Sequence, residues 1–357
     1  MLTLKKTSHL QALVREYDVI EMAQQEDALP IHHRPEGGFR NPWPSAEMHG
    51  FVDFLKWSLV ERRRNPRRPD PDPSVFTRAT PDYVVPRAAP ERFTITWVGH
   101  TSFLLQIAGL NVLIDPVWSE RASPVQFLGP RRWVPPAIEF DRLPPIDVVV
   151  LSHDHYDHLD AATVSRIARR YPAAVWFAPL GVGAFLRQRG AREVTERDWW
   201  QEGALGGLRL TCVPAQHFSG RTLGRRNSTL WCGWTLRSAH HAVFFAGDTA
   251  LHPEFGAIAK TFGPFDFAIL PIGAYEPRWF MGAVHMNPED CIKAMDQLSA
   301  GQSGSRLVMV ASHWGTFKLT DEPMDEPPAR MRELWQATGL ASNDLWIMQH
   351  GETRAVE

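Results

Sequence analysis

The segment that most constrains this chain is Leu151-Ser152-His153-Asp154-His155-Tyr156-Asp157-His158-Leu159-Asp160, which begins where the apolar run DVVVLS ends. A short, wholly apolar run of this kind is typical of a strand buried on both faces. Packing so many ionisable side chains against it costs on the order of several kcal/mol unless a metal ion or a partner charge compensates. Residues two apart on extended backbone point the same way, so His153 and His155 can present imidazoles to one ion. Asp157 and His158 follow where the chain turns into a helix and can reach a second ion. Imidazole and carboxylate donors are what zinc accepts.

Other donors also sit just beyond apolar strand candidates. His217 follows LRLTCVPAQ, Asp248 follows HAVFFAG, and His313 follows LVMVAS. Gly247 lets the backbone turn closely before Asp248. Side chains at one end of several strands converge on a single rim, the usual place for a site on a rigid scaffold. The expected assignment gives His153, His155 and His217 to one metal and Asp157, His158 and His313 to the other. The Asp248 carboxylate bridges them. His240, His241 and His252 read instead as ordinary polar or packed residues.

Strand candidates dominate the chain from about residue 92. FTITWVGHTSFLLQIAGLNVLIDP reads as a hairpin of two strands, and AAVWFAP, LRLTCVPA, TLWCGWTL, HAVFFAG, FDFAILP and LVMVAS follow. LDAATVSRIARRYP, PEFGAIAKTFG, NPEDCIKAMDQLSA and PPARMRELWQATG read as helices between or after them. Two mixed β-sheets flanked by helices, an α/β fold, satisfy that alternation. Residues 1–36 read as an N-terminal extension and 37–357 as one domain, with 37–90 a lead-in helix and loop. In FVDFLKWSLVERRR, Phe51, Phe54, Leu55 and Leu59 fall at helical spacing, and an amphipathic helix usually packs its apolar face inward.

Composition narrows the setting. With 357 residues, 44% hydrophobic, the chain can bury a large core, and a net charge of -2 gives no basic field for nucleic acid. Cys212, Cys232 and Cys291 form no CxxC pair and suit a reducing compartment better than a disulfide scaffold. The first residues lack a signal-peptide core, and no run of about 18 apolar residues occurs. The expectation is a cytoplasmic protein, with peripheral contact at the inner membrane surface left open.

HDHYDHLD resembles the HxHxDH signature of the metallo-β-lactamase superfamily, and Asp248 in AGDT matches its bridging aspartate. FRNPWPS, TWVGHTSFLLQ, DPVWSERASPVQFLGPRRW, PAQHFSGRTL, GPFDFAILPIGAYEPRWFM and HWGTF further resemble the N-acyl-phosphatidylethanolamine phospholipase D family, from about Phe39 to Gly339. That resemblance implies an αββα sandwich and two Zn2+ ions per chain, with Mn2+ or Fe2+ as alternatives. It also implies hydrolysis of a phospholipid to N-acylethanolamine and phosphatidate by a metal-bridging hydroxide, and a homodimer. It places His285 near the reacting phosphate as a catalytic residue alongside Asp157. Asp115 in LIDP then orients a ligand histidine, and His100 in VGHTS either does likewise or packs in the core. The chain departs from the family at Val284, where animal enzymes have glutamine, and reads GDTA for GDTG. The superfamily also contains lactonases and phosphodiesterases of small soluble substrates, which is the second reading. An apolar patch built from the FVDFLKWSLV helix and the WVPP and YEPRWF loops, beside Arg62, Arg63 and Arg64, would suit a lipid surface.

Overall fold

Strand alternation sorts the apolar residues into layers. In the computed structural model, which describes residues 29–43, 49–221, 224–300 and 306–356, Phe267 and Ile269 face one way from their strand and Ala268 and Leu270 the other. Both faces are therefore covered, and the chain folds as two seven-stranded mixed sheets packed face to face with helices outside. The first sheet contains β1 (Phe93–Gly99), β2 (Ser102–Ile107), β3 (Leu110–Ile114), β4 (Val148–Val150), β5 (Val175–Pro179), β6 (Glu193–Arg197) and β14 (Thr353–Val356). Its order is β14-β1-β2-β3-β4-β5-β6. The second contains β7 (Glu202–Leu205), β8 (Leu208–Val213), β9 (Gly233–Arg237), β10 (Ala242–Phe245), β11 (Phe267–Pro271), β12 (Val308–Ser312) and β13 (Leu345–Trp346), in the order β13-β12-β11-β10-β9-β8-β7. Each sheet is half antiparallel and half parallel, and β4 and β10 both lie within or beside the parallel half.

Trp97, Phe103, Trp234 and Phe245 fill the space between the sheets. The helix at Ala161–Arg170 covers the first sheet through Val164 and Ile167. Helices at Phe255–Phe262, Pro288–Ser299 and Glu326–Thr338 cover the second. At the first of these four, the Asp160 carboxylate caps the Ala162 N–H.

Two expectations are corrected. The segment 93–114 forms three strands rather than a two-stranded hairpin, because Gly99 and His100 take positive φ (135° and 56°) and end β1 after seven residues. A Cβ on Gly99 would lie 3.2 Å from the His350 ring. The amphipathic helix forms at Phe51–Leu55, continues as a π-helical stretch at Lys56–Glu61 and closes at Arg62–Arg64, but its apolar stripe does not turn inward. Val52, Phe54 and Leu59 are 78%, 43% and 52% exposed, whereas Trp57 is buried. Trp57 packs against Met281, Val284 and Phe280, and its Nε1 and the Arg62 guanidinium both bond to Asp321, which together fix the helix.

Of the extension assigned to residues 1–36, residues 1–28 lie outside the described residues. Residues 29–43 are attached to the domain, with the Phe39 N–H donating to the Asn227 carbonyl at 2.8 Å. Among the described residues, no helix is long and apolar enough to cross a membrane. The three cysteines are buried and unpaired.

Candidate metal centre

Strand ends deliver the site. Asp115 follows β3, His153 follows β4, His217 follows β8, Asp248 follows β10 and His313 follows β12. Several of these positions sit on sparsely populated backbone: His100, Asp115 and His313 have φ of 56°, 37° and 60°, and Gly247 has 63°. A Cβ on Gly247 would lie 2.7 Å from the Cys232 carbonyl, so that turn admits only glycine.

The structure brings all seven ligand candidates together. His153 Nε2 is 2.9 Å from His155 Nδ1, which is 3.2 Å from His217 Nε2. Asp157 Oδ2 lies 3.4 Å from His158 Nε2 and 3.5 Å from His313 Nε2. Between the two groups, Asp248 Oδ2 is 3.0 Å from both His158 Nε2 and His313 Nε2, and 3.9 Å from both His153 Nε2 and His217 Nε2. Buried polar atoms normally find hydrogen-bond partners. Here His158 Nε2, His313 Nε2 and Asp248 Oδ1 are buried without one. Unsatisfied nitrogen and oxygen donors aimed at a common point fit divalent metal ions.

Polar contacts around this set orient it. Asp115 Oδ2 accepts from His158 Nδ1 at 2.8 Å and from the Ser152 hydroxyl at 2.6 Å, while its Oδ1 accepts the Ser152 N–H. The carboxylate thereby fixes the His158 ring with Nε2 directed into the centre. His217 Nδ1 meets the Val284 carbonyl at 2.8 Å, and His100 Nε2 meets Asp157 Oδ2 at 2.9 Å. Val284 thus supports His217 through its backbone carbonyl, while its side chain lines the cavity. His285 stands at the edge, its Nε2 4.0 Å from Asp248 Oδ2 and its Nδ1 buried without a partner. Asp154, within the signature, does not face the centre: its carboxylate accepts the Gly220 N–H. His252 packs between Trp43 and Phe255, and His241 meets the Glu91 carbonyl.

Burial drives the protonation pattern. It pushes His155 down to about 4 and His217 and His100 to about 3, and carries His153 and His285 well below the ordinary imidazole value. Burial also opposes charge on His313 and His158, but Asp248 and Asp157 outweigh it, lifting His313 to about 9 and His158 well above its usual value. Those imidazoles in turn hold Asp157 and Asp248 well below the carboxylate range despite burial. Two buried carboxylates therefore require positive charge, which protons supply in the apoprotein and metal ions replace.

The centre forms the floor of a cavity of about 750 Å³. Its walls include Phe54, Trp57, Phe218, Phe280 and Met281, none of which the spacing of the metal signature points to. Arg221 and Arg226 also line it. Arg221 is spent on the Asp154 and Leu159 carbonyls, and Arg226 on the His49 carbonyl. Of the aromatic loops expected beside the centre, YEPRWF contributes Phe280, whereas Trp133 of WVPP lies in a separate groove with Trp118.

A two-sheet sandwich with histidines and aspartates at the strand ends defines a metal-dependent hydrolase of the metallo-β-lactamase class. Comparison with known proteins agrees: the family model described as Beta-lactamase superfamily domain matches residues 110–314. An uncharacterised protein of Mycobacterium tuberculosis is 43% identical over 280 residues, 78% of this chain and 72% of that one. The N-acyl-phosphatidylethanolamine-hydrolyzing phospholipase D 1 of Caenorhabditis elegans is 40% identical over 253 residues, covering 68% and 69%. Among solved structures, a metallo hydrolase from Ignicoccus hospitalis, 24% identical, shares the fold with a TM-score of 0.55 over 74% of this chain and 99% of that one. The chain belongs to the N-acyl-phosphatidylethanolamine phospholipase D family of the metallo-β-lactamase superfamily.

Proposed function

We propose that this protein is a dinuclear zinc phosphodiesterase of phospholipase D type. Its substrate is N-acyl-phosphatidylethanolamine or a related glycerophospholipid, cleaved to N-acylethanolamine and phosphatidate. The observation that carries this reading is a largely apolar cavity of about 750 Å³ that ends on the Asp248 cluster, an environment suited to an amphiphile whose phosphodiester reaches the floor. The name of the Caenorhabditis elegans relative supports the substrate class.

His153, His155 and His217 would hold one ion and Asp157, His158 and His313 the other, with Asp248 available to both. When bound, two such ions supply a water of lowered pKa and neutralise phosphate charge. The chain's own groups do the rest. Asp115 keeps His158 in one tautomer through its 2.8 Å contact. His100 holds the Asp157 carboxylate in place for the second ion and the reacting water. Phe218, Phe280 and Met281 exclude bulk water from the floor. His285, neutral because burial disfavours its charged form, donates an N–H hydrogen bond to a phosphate oxygen, and the proton for the departing alkoxide comes from the attacking water. In the overall reaction, water adds OH to phosphorus, the bond from phosphorus to the ethanolamine oxygen breaks, and that oxygen takes the remaining proton.

The test is product-resolved hydrolysis of N-acyl-phosphatidylethanolamine in mixed micelles by zinc-loaded protein, with Asp248→Asn as control. Release of N-acylethanolamine and phosphatidate by the parent alone is expected. No release from protein holding both ions would replace the lipid with a small soluble ester, lactone or phosphodiester.

A further inference from the structure

A second group of ligand-type side chains lies where residues 29–43 cross the connection between β6 and β7, the end strands of the two sheets. His32 Nε2 is 2.7 Å from Asp198 Oδ1, and His33 Nε2 is 2.7 Å from Asp198 Oδ2. Neither ring is loose. His32 stacks on Trp199 with centroids 4.2 Å apart, and His33 stands edge-on to Phe39 at 5.0 Å. Aromatic packing thus aims both Nε2 atoms at one carboxylate. The two nitrogens and a carboxylate oxygen lie within 4.8 Å of one another. Bonds of about 2.0 Å to a tetrahedral ion set neighbouring donors about 3.3 Å apart, so small ring movements suffice.

We propose that His32, His33 and Asp198 form a third metal site, structural in role, that takes zinc or a similar divalent transition ion. Two imidazoles and a carboxylate are a donor set zinc accepts, and water completes it from the solvent side, where the His33 side chain is 20% exposed. The ion pins the segment 29–43 across the seam between the sheets. Farther along that segment, Asn41 Nδ2 donates to the His217 carbonyl at 2.8 Å, and Trp231 Nε1 donates to Asn41 Oδ1 at 3.1 Å. A pinned segment therefore braces the backbone of a residue in the main centre.

Two imidazole N–H groups donating to one carboxylate would give the same contacts, and stoichiometry separates the two cases. Full-length parent, His33→Gln, Asp198→Asn and Asp248→Asn proteins are dialysed against buffered Zn2+ and their zinc counted by elemental analysis, with circular dichroism as the check on folding. The parent is expected to hold one zinc per chain more than His33→Gln or Asp198→Asn. In Asp248→Asn, adding His33→Gln is expected to remove one further zinc, and with Co2+ in place of zinc the visible absorption is expected to fall by the contribution of that one ion. Equal zinc in folded parent and His33→Gln would overturn the proposal and leave a hydrogen-bonded clamp. None of these readouts requires activity on a lipid, so the result is independent of the proposed function.

Discussion

The rim where the strands end and the mouth of the cavity above it solve opposite problems. At the rim, His153, His158, His217, Asp248 and His313 are almost wholly buried, and their charges are balanced within a few ångströms. Above it, the helix at 51–64 and the loop at 124–128 leave Val52, Leu59, Phe127 and Leu128 in solvent, Phe127 at 82% exposure. Phe54 and Pro124 both line the cavity, so the helix at 51–64 and the loop at 124–128 border the same opening. Soluble domains seldom leave apolar side chains clustered unless something else covers them. Polar groups buried below and apolar groups exposed above suit a substrate that brings its charge to the floor and leaves its chains at the surface.

The sharpest way to break this contrast is at the floor. Asp248→Asn removes the charge shared by both ligand groups. It is expected to lower metal occupancy and to reduce hydrolysis about a thousand-fold or more, some 4 kcal/mol of transition-state stabilisation. Steady-state rates and elemental analysis on the same sample check both. Asp115→Asn leaves every ligand in place but changes what His158 Nδ1 meets. Metal affinity should fall about 10- to 100-fold, as measured by competition with a chelator. An unchanged affinity would show that His158 needs no orienting partner.

At the mouth, Val52→Asp with Leu59→Asp should raise KM for micellar substrate about tenfold, given roughly 1.5–3 kcal/mol for a fully buried aliphatic side chain. Hydrolysis of a short-chain soluble phosphodiester should stay within about twofold of the parent. Equal loss on both substrates would mean that the helix shapes the floor instead. An effect on stability rather than turnover concerns His252, as buried as His313. Burial pushes its imidazole down to about 3. Its contribution to stability is present above the unfolded value near 6.5 and is lost as pH falls toward 3. His252→Phe should therefore remove about 2 kcal/mol of the destabilisation seen at pH 5, read from urea unfolding at pH 5 and 7.5.

The rim was legible in the sequence because its signals are local. His153 through His158 span six positions, and each remaining donor follows its own apolar run. What hid was pairing across long separations. The resemblance gave Asp115 a ligand histidine to orient but not that it is His158, 43 residues away, and nothing pointed to Trp57 reaching Asp321 across 264. Helical spacing located the helix at 51–64 but could not say which way its stripe faced. The packing of Trp57 on Met281, Val284 and Phe280, with Asp321 holding Trp57 and Arg62, decides that and leaves the apolar stripe outward. The break after β1 was missed because GHT reads as part of a strand until backbone conformation at Gly99 and His100 is known. The small edge strands β6 and β7, rich in charge, carried little alternation to read.

The most direct test of the dinuclear centre is anomalous scattering at the zinc edge from crystals of zinc-loaded protein. The account expects two peaks about 3.5–4 Å apart, one on each side of the Asp248 carboxylate. His153, His155 and His217 should bond to one, and Asp157, His158 and His313 to the other. A single peak, or a pair that leaves Asp248 untouched, would contradict it.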